Sequence, residues 1–403
     1  MLAIMAGCAV YLFLKGTLAQ GITMILNAII AGFVAFGFFE LVAQYLIKYS
    51  PGVTAWAHMI GFLVLFVFVF ALLQSAAMQI NKEKIDFGKL PEQIGRPLSG
   101  IVLGYVVTGH LLVAAAMAPL PSQYPYPRFA ERNPNPSDPS KPLLSPDGFV
   151  TSLFEIVSRG SFSPLGEAKS FAMLHAGFVD QLYLNRRKVK DSPLRTFSPA
   201  INSPRKNGVW RAPDSLRDSE GRPLSVQAGT NLMLVRVEIR KGAMKDGAKF
   251  TLSQMRLICG TKSGSGDALA GKGQAVYPIG YITSGGRLQH KSLDDLIDTA
   301  TGQGDTVTMD LGFQVPTNLT PLLLEFKRNN VVQVSAPADA EDAPPPVPFG
   351  AAPAPQAAPA AGPSADESTE PAPAPSSSKG PRKGKRGLSD ISRGIVGNGT
   401  DEN

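Results

Sequence analysis

Apolar residues crowd the first third of the chain, and beyond it their spacing changes. Four runs approach or reach the roughly 20 mainly apolar residues that cross about 30 Å of hydrocarbon: Leu2 to Leu18, Ile22 to Ile47, Ala55 to Met78 and Leu98 to Ala118. The third, AWAHMIGFLVLFVFVFALL, holds one ionisable residue near its edge and lacks the polar stripe of a soluble core helix. The first is interrupted by Lys15, whose ammonium can reach the headgroups from a helix end. Its shortness fits a start a few residues downstream of the natural one. It has neither a leading basic stretch nor a small-x-small cleavage site, so it reads as a spanning helix rather than a signal peptide. The pattern predicts a four-helix transmembrane bundle over residues 1–120.

Residues 121–224 are rich in Pro, Ser and Arg and read as a linker. Within it, Phe149, Leu153, Ile156 and Val157 repeat at helical spacing after Asp147-Gly148. A short amphipathic helix is expected near 148–159, against the membrane surface or the bundle's outer mouth. After residue 225 the period becomes two: Met233, Val235, Val237 and Ile239 share one face of a strand, and Arg236, Glu238 and Arg240 the other. Further strand-like runs follow between Gly- and Ser-rich loops, with SLDDLID as a short insertion. Residues 225–335 are therefore expected to form a soluble all-β, immunoglobulin-like sandwich. From 336 to 403 Pro and Ala dominate and a basic cluster, KGPRKGKRG, follows, which predicts a disordered tail.

The formal charge of +7 does not gather on one folded segment, so no nucleic-acid partner is expected. Lys82, Lys84, Lys89 and Arg96 follow the third run, whereas the preceding loop has only Lys48. The positive-inside rule places the former loop in the cytoplasm, and the N-terminus and everything after Pro119 outside. Cys8 and Cys259 lie in different regions and lack the neighbours of a metal site, so they read as buried apolar side chains.

The segments LKGTLAQGITMILNAIIAGFVAF and IGRPLSGIVLGYVVTGHLL, with the aromatic-aliphatic third run and its basic loop between them, follow one another in residues 1–120. In these segments and their order, residues 1–120 resemble the colicin V production protein (CvpA) family. The resemblance implies a bacterial inner-membrane protein linked to colicin V or toxin production and to envelope homeostasis, without assigning a reaction. The chain departs from the family in lacking an acidic residue near its N-terminus and in adding the large region after residue 120. Residues 225–335, ending in FQVP and LLLEF, loosely resemble extracytoplasmic immunoglobulin-like domains of bacterial lipoproteins.

Gly100 and Gly104 have GxxxG spacing, with Gly95 and Gly109 flanking, and offer one bulk-free stripe for helix packing within the bundle or in a homo-oligomer. Glu40 and His110 are ionisable groups inside predicted spans, with His58 near the outer end of the third. A Glu/His pair at similar depth would relay protons or hold a polar substrate; the plainer role is an interhelical hydrogen bond. GTKSGSGDALAGKGQ has the glycines of a phosphate loop without its spacing, and His175 and His290 have no nucleophile beside them. The expected function is a non-enzymatic membrane anchor or scaffold, with no cofactor or metal. It would present a β domain to an envelope protein or polymer; the alternative is a small transporter or channel subunit.

Overall fold

The computed structural model describes residues 1–80, 87–159, 170–187, 199–244, 249–261, 269, 271–283, 285–299, 304–345, 347 and 349. Among the described residues three helices, rather than the expected four, are long and apolar enough to cross a membrane: α2 (Leu18–Tyr49), α3 (Ala57–Ile80) and α4 (Lys89–Met117). The fourth candidate, α1 (Leu2–Lys15), has 14 residues. At 1.5 Å per residue that is about 21 Å, short of a hydrocarbon core of about 30 Å. The apolar run to Leu18 is cut at Gly16, and the Thr17 hydroxyl accepts from the Gln20 amide at 3.2 Å to cap α2 instead.

α1 runs antiparallel to α4, with Ala9 beside Gly100 and Met5 beside Gly104, while α2 runs parallel to α4, with Gly21 beside Ser99 and Gly32 beside His110. α3 returns along α2, where Gly61 meets Phe39 and Ala43, and Asn27 donates to Gln74 at 3.1 Å. At the end bearing Lys15, Glu92 accepts from the Leu18 amide and pairs with Arg96 at 2.5 Å. That carboxylate sits where the positive end of the α2 dipole attracts it. Leu26, Val67, Phe68 and Leu98 point outward with at least half their surface uncovered, as a lipid-facing wall requires. Lys82 and Lys84, which set the expected orientation, lie outside the described residues.

The stretch read as a linker is largely packed where it is described. α5 (Pro146–Ser158), α6 (Phe171–Leu174) and α7 (Phe178–Asn185) insert Phe154, Phe171, Phe178 and Tyr183 into the same core as Phe36, Phe39 and Phe62 of the bundle. The rings of Phe36 and Phe154 stack at 5.2 Å, and Phe171 and Phe178 meet edge to face at 5.1 Å.

The β-rich region also begins earlier than residue 225. β1 (Ile201–Asn202) and β2 (Val209–Arg211) both pair antiparallel with β3 (Thr230–Arg240). After them come β4 (Lys249–Thr251), β5 (Met255–Thr261), β6 (Gln274–Val276), β7 (Pro278–Ile282) and β8 (Leu288–His290). β9 (Leu296–Asp298), β10 (Thr306–Pro316), β11 (Leu319–Phe326) and β12 (Asn330–Gln333) complete the described set. One sheet has the order β1-β3-β10-β7-β8 with β2 also on β3, a second the order β12-β11-β5-β6, and β4 pairs with β9. The SLDDLID segment read as an insertion thus supplies a paired strand, β9.

The two larger sheets share one core, built from Val235, Val237, Met309 and Leu311 on one side and Leu257, Cys259, Leu324 and Phe326 on the other. The alternation along β3 places Val235, Val237 and Ile239 in that core at 0 % exposure, because the side-chain period of a strand is two. Residues 338–345, 347 and 349, assigned by sequence to the tail, return to the first sheet: the Val347 amide donates to Asp310 and Phe349 packs on Tyr281. The expected disorder from 350 to 403, its basic cluster, and most of the glycine loop after Gly260 fall outside the described residues.

Candidate functional site

Glu40 lies 22 residues beyond Leu18 on α2, about 33 Å along the helix and hence at the far edge of a hydrocarbon core of about 30 Å. α6, α7 and the β-rich region meet α2 at this level. The Glu40 carboxylate stands 3.6 Å from His175 Nε2, too long for a hydrogen bond and a charge contact only when the imidazole is protonated. His175 Nδ1 faces Gln181 Oε1 at 3.3 Å, and Gln181 Nε2 donates to Glu325 Oε1 at 2.6 Å. The other Glu325 oxygen accepts from Arg256 Nη2 at 2.6 Å, and Arg256 also donates to the carbonyls of Ala176 and Leu174.

Each link has a local cause. Arg256 on β5 and Glu325 on β11 are directly paired in register, so an antiparallel ladder brings them together on one face. Gln181 is held by α7 one turn after its αL start at Gly177, and Glu325 fixes the amide so that Oε1 points at His175. A carbonyl oxygen only accepts, so Nδ1 carries the proton of the neutral ring, and Nε2 has a hydrogen to turn toward Glu40 only when the ring is protonated.

The hairpin between β11 and β12 adds a further cation. Lys327 and Arg328 both adopt positive φ, 48° and 66°, a conformation that costs non-glycine residues roughly 1–2 kcal/mol each. Arg328 Nε and Nη2 are buried without a hydrogen bond, and burial lowers this guanidinium to about 10, opposed by Glu40 and Glu325. A second group adjoins: Arg128 pairs with Asp180 at 2.5 Å and approaches Asp147, and Arg186 donates to the carbonyls of Tyr124 and Ala118. Glu40, Asp147, Asp180 and Glu325 thus balance Arg128, Arg186, Arg256 and Arg328 when His175 is neutral.

Burial pushes the His175 imidazole below its ordinary value; Arg256 and Arg328 reinforce this, and Glu40 and Glu325 oppose it. An unfolded chain takes up this proton near pH 6.5 and the folded one only at lower pH, so stability is complete above about pH 6.5 and falls on acidification. Unfolding followed by the fluorescence of Trp210, which is buried in the β-rich region, is expected to move to lower temperature between about pH 7.5 and pH 5. His175→Gln is expected to flatten that dependence; an undiminished slope would assign it to other groups.

The sequence candidates are distributed differently from the expectation. Glu40 has a histidine neighbour, but it is His175, not His110. His110 lies opposite Gly32, eight residues and about 12 Å below Glu40 along α2. Its Nδ1 lies 2.8 Å from the Val106 carbonyl, and its ring stacks on Phe66 at 4.7 Å, with Phe36 and Phe62 around it. His58 meets the ring of Phe39 edge-on at 5.7 Å.

The four glycines do not form one stripe. Gly100 and Gly104 face α1, Gly95 faces Leu18, and Gly109 faces Pro146 and Val150 of α5. At 100° per residue, Gly109 is half a turn away from Gly100. Sequence reading passed over Arg256, Glu325 and Gln181. The available signal was one charge within each of two apolar strand runs, MRLIC and LLLEF, since a lone charge there must be paired.

No family model, curated protein or solved structure matches this chain.

Proposed function

We propose that the chain is a CvpA-like protein of the bacterial inner membrane and a non-enzymatic scaffold. Its helices anchor a β domain, immunoglobulin-like in kind and extracytoplasmic, that captures an envelope protein or polymer. The observation that carries this reading is the buried His175–Gln181–Glu325–Arg256 chain beside Glu40, which ties α6 and α7 to the β-rich region while Phe171 and Phe178 pack on Phe36 and Phe39 of a membrane-length helix. A domain so fastened transmits force and position to the bilayer, as a flexible tether would not. The resemblance of residues 1–120 to CvpA proteins supports the membrane and the process.

Removal of residues 199–349 is expected to abolish capture of the envelope partner while α2–α4 still insert. An unchanged set of captured molecules would discard the scaffold. A reporter fused at Pro121 is expected to signal from outside the cytoplasm; a cytoplasmic signal would reverse the orientation and the class of partner.

The polar groups within the bundle, His110 and the Asn27–Gln74 pair, favour a second reading as a transporter or channel subunit. His110→Ala separates the two. A scaffold loses thermal stability, because a cavity opens among Phe36, Phe62 and Phe66, and its vesicles pass no solute. A conduit shows flux that the substitution removes.

A further inference from the structure

A helix on the surface of a water-borne domain turns its charges outward and its apolar side chains in. α5 buries Val150 and Phe154 as that rule requires but departs from it on its outward face, where Ser152 lies between exposed apolar side chains. Asp147, Thr151 and Ser158 are buried at 1 %, 4 % and 0 % exposure, whereas Phe149 and Ile156, two turns apart on one face, are 43 % and 62 % exposed. The turn leading into the helix adds Leu143 and Leu144, 64 % and 66 % exposed. The acidic groups of α5 do not face outward with them: Asp147 accepts from the Tyr126 hydroxyl inside, and Glu155 pairs with Lys272 at 3.6 Å.

The depth of this segment is set by what it touches. Pro146 and Val150 pack on Gly109, and the Tyr105 hydroxyl donates to the Leu144 carbonyl at 2.8 Å. Tyr105 and Gly109 lie 10 and 14 residues beyond Gly95, which adjoins Leu18 near the Glu92–Arg96 end of the bundle. At 1.5 Å per residue these positions are about 15 and 21 Å along α4, inside a hydrocarbon core of about 30 Å. Below Tyr105, on the side of α4 that also carries Phe149 against its ring at 5.4 Å, Leu98, Ile101 and Val102 are exposed. The apolar face of α5 therefore continues the outward apolar surface of a membrane-length helix. Part of the backbone there is satisfied within the protein, as hydrocarbon demands: Leu144 O is taken by Tyr105, the Ser145 amide by Pro142 O, and the Phe149 amide by Ser145 O.

We propose that α5 and the Leu143–Leu144 turn form a re-entrant membrane element. Acyl chains of the leaflet on the β-domain side cover Leu143, Leu144, Phe149 and Ile156, while α2 and α4 hold the opposite face. This rests on α2–α4 spanning a bilayer, and the experiment separates the two claims. Nitroxide is attached to Leu143→Cys, Phe149→Cys or Ile156→Cys in the full chain carrying Cys8→Ser; Cys259 stays silent because it is buried and its thiol is pushed up to about 12. The chain is reconstituted in phosphatidylethanolamine/phosphatidylglycerol vesicles and collision rates with oxygen and with a water-soluble nickel chelate are measured. Phe68, exposed on α3, serves as the lipid reference and Val226, exposed in the β-rich region, as the water reference.

The expected result is an oxygen-to-nickel ratio at all three α5 positions several-fold above that at Val226 and close to that at Phe68. Nickel access equal to Val226, with Phe68 still reading lipid, overturns the re-entrant element alone. Low rates for both reagents with dipolar broadening overturn it in favour of a second copy covering the face. A water signal at Phe68 overturns the spanning reading and the element with it.

Discussion

Arg256→Ala is expected to destabilise the β-rich region by about 3–5 kcal/mol, the cost typical of stripping one partner from a buried ion pair. Both members of the Arg256–Glu325 pair have side chains only 3 % exposed. The loss strips Glu325 of its bonded cation, leaving it the Gln181 amide and the nearby Arg328, and leaves the carbonyls of Leu174 and Ala176 without their donor. A buried charge without its partner is far costlier than a buried pair is beneficial. The double variant Arg256→Met/Glu325→Gln is therefore expected to recover most of the loss. Its amide oxygen still accepts from Gln181, and neither member of the pair is left charged without the other. Trp210 fluorescence, read in a Trp56→Phe background, reports unfolding of this region alone. Equal losses in the single and double variants would show that the stranded charge is not the source.

This pair also marks how far the sequence could be read. The strand alternation of Met233, Val235, Val237 and Ile239 and the apolar run of α3 are local, periodic signals, and both elements are present. The break at Gly16-Thr17 is equally local, but continuous hydropathy runs across it and makes α1 look long enough to span. Depth could be estimated for Glu40, but its neighbour could not. His175 is 135 residues away in sequence, and only the packing of Phe171 and Phe178 against Phe36 and Phe39 brings it to α2. The pairing of Arg256 with Glu325 likewise requires the register of β5 on β11, which no single-strand pattern contains. Proline-rich composition misled in a third way. It marks the absence of helix and ladder, not of packing, and residues 121–145 are held in place by Arg128, Arg186 and Tyr126.

Gly104→Val is expected to detach α1 from the bundle. A Cβ at Gly104 would stand 2.5 Å from the Met5 Cα and 3.1 Å from its nitrogen, and one at Gly100 would stand 2.5 Å from the Ala9 Cα. These obstacles are backbone, so no rotamer change relieves them and the helices must part. In lipid the association of α1 with α4 depends on close van der Waals contact, because the acyl chains are as apolar as the side chains they replace. Overpacking of this kind costs about 1–3 kcal/mol, and more where the contact is backbone on backbone. Gly7, on the same short helix, has nothing within 4 Å of a Cβ, so Gly7→Ala is expected to stabilise α1 by up to about 1 kcal/mol through helix propensity. The half-buried Cys8 thiol reports the outcome directly, since its backbone lies against Gly100. Maleimide labelling of Cys8 should accelerate in Gly104→Val and stay at the parent rate in Gly7→Ala, with Cys259 unlabelled in both. If the glycines instead served a homodimer, Gly104→Val would dissociate the dimer and leave Cys8 as slow as before, and the intramolecular seam would have to be abandoned.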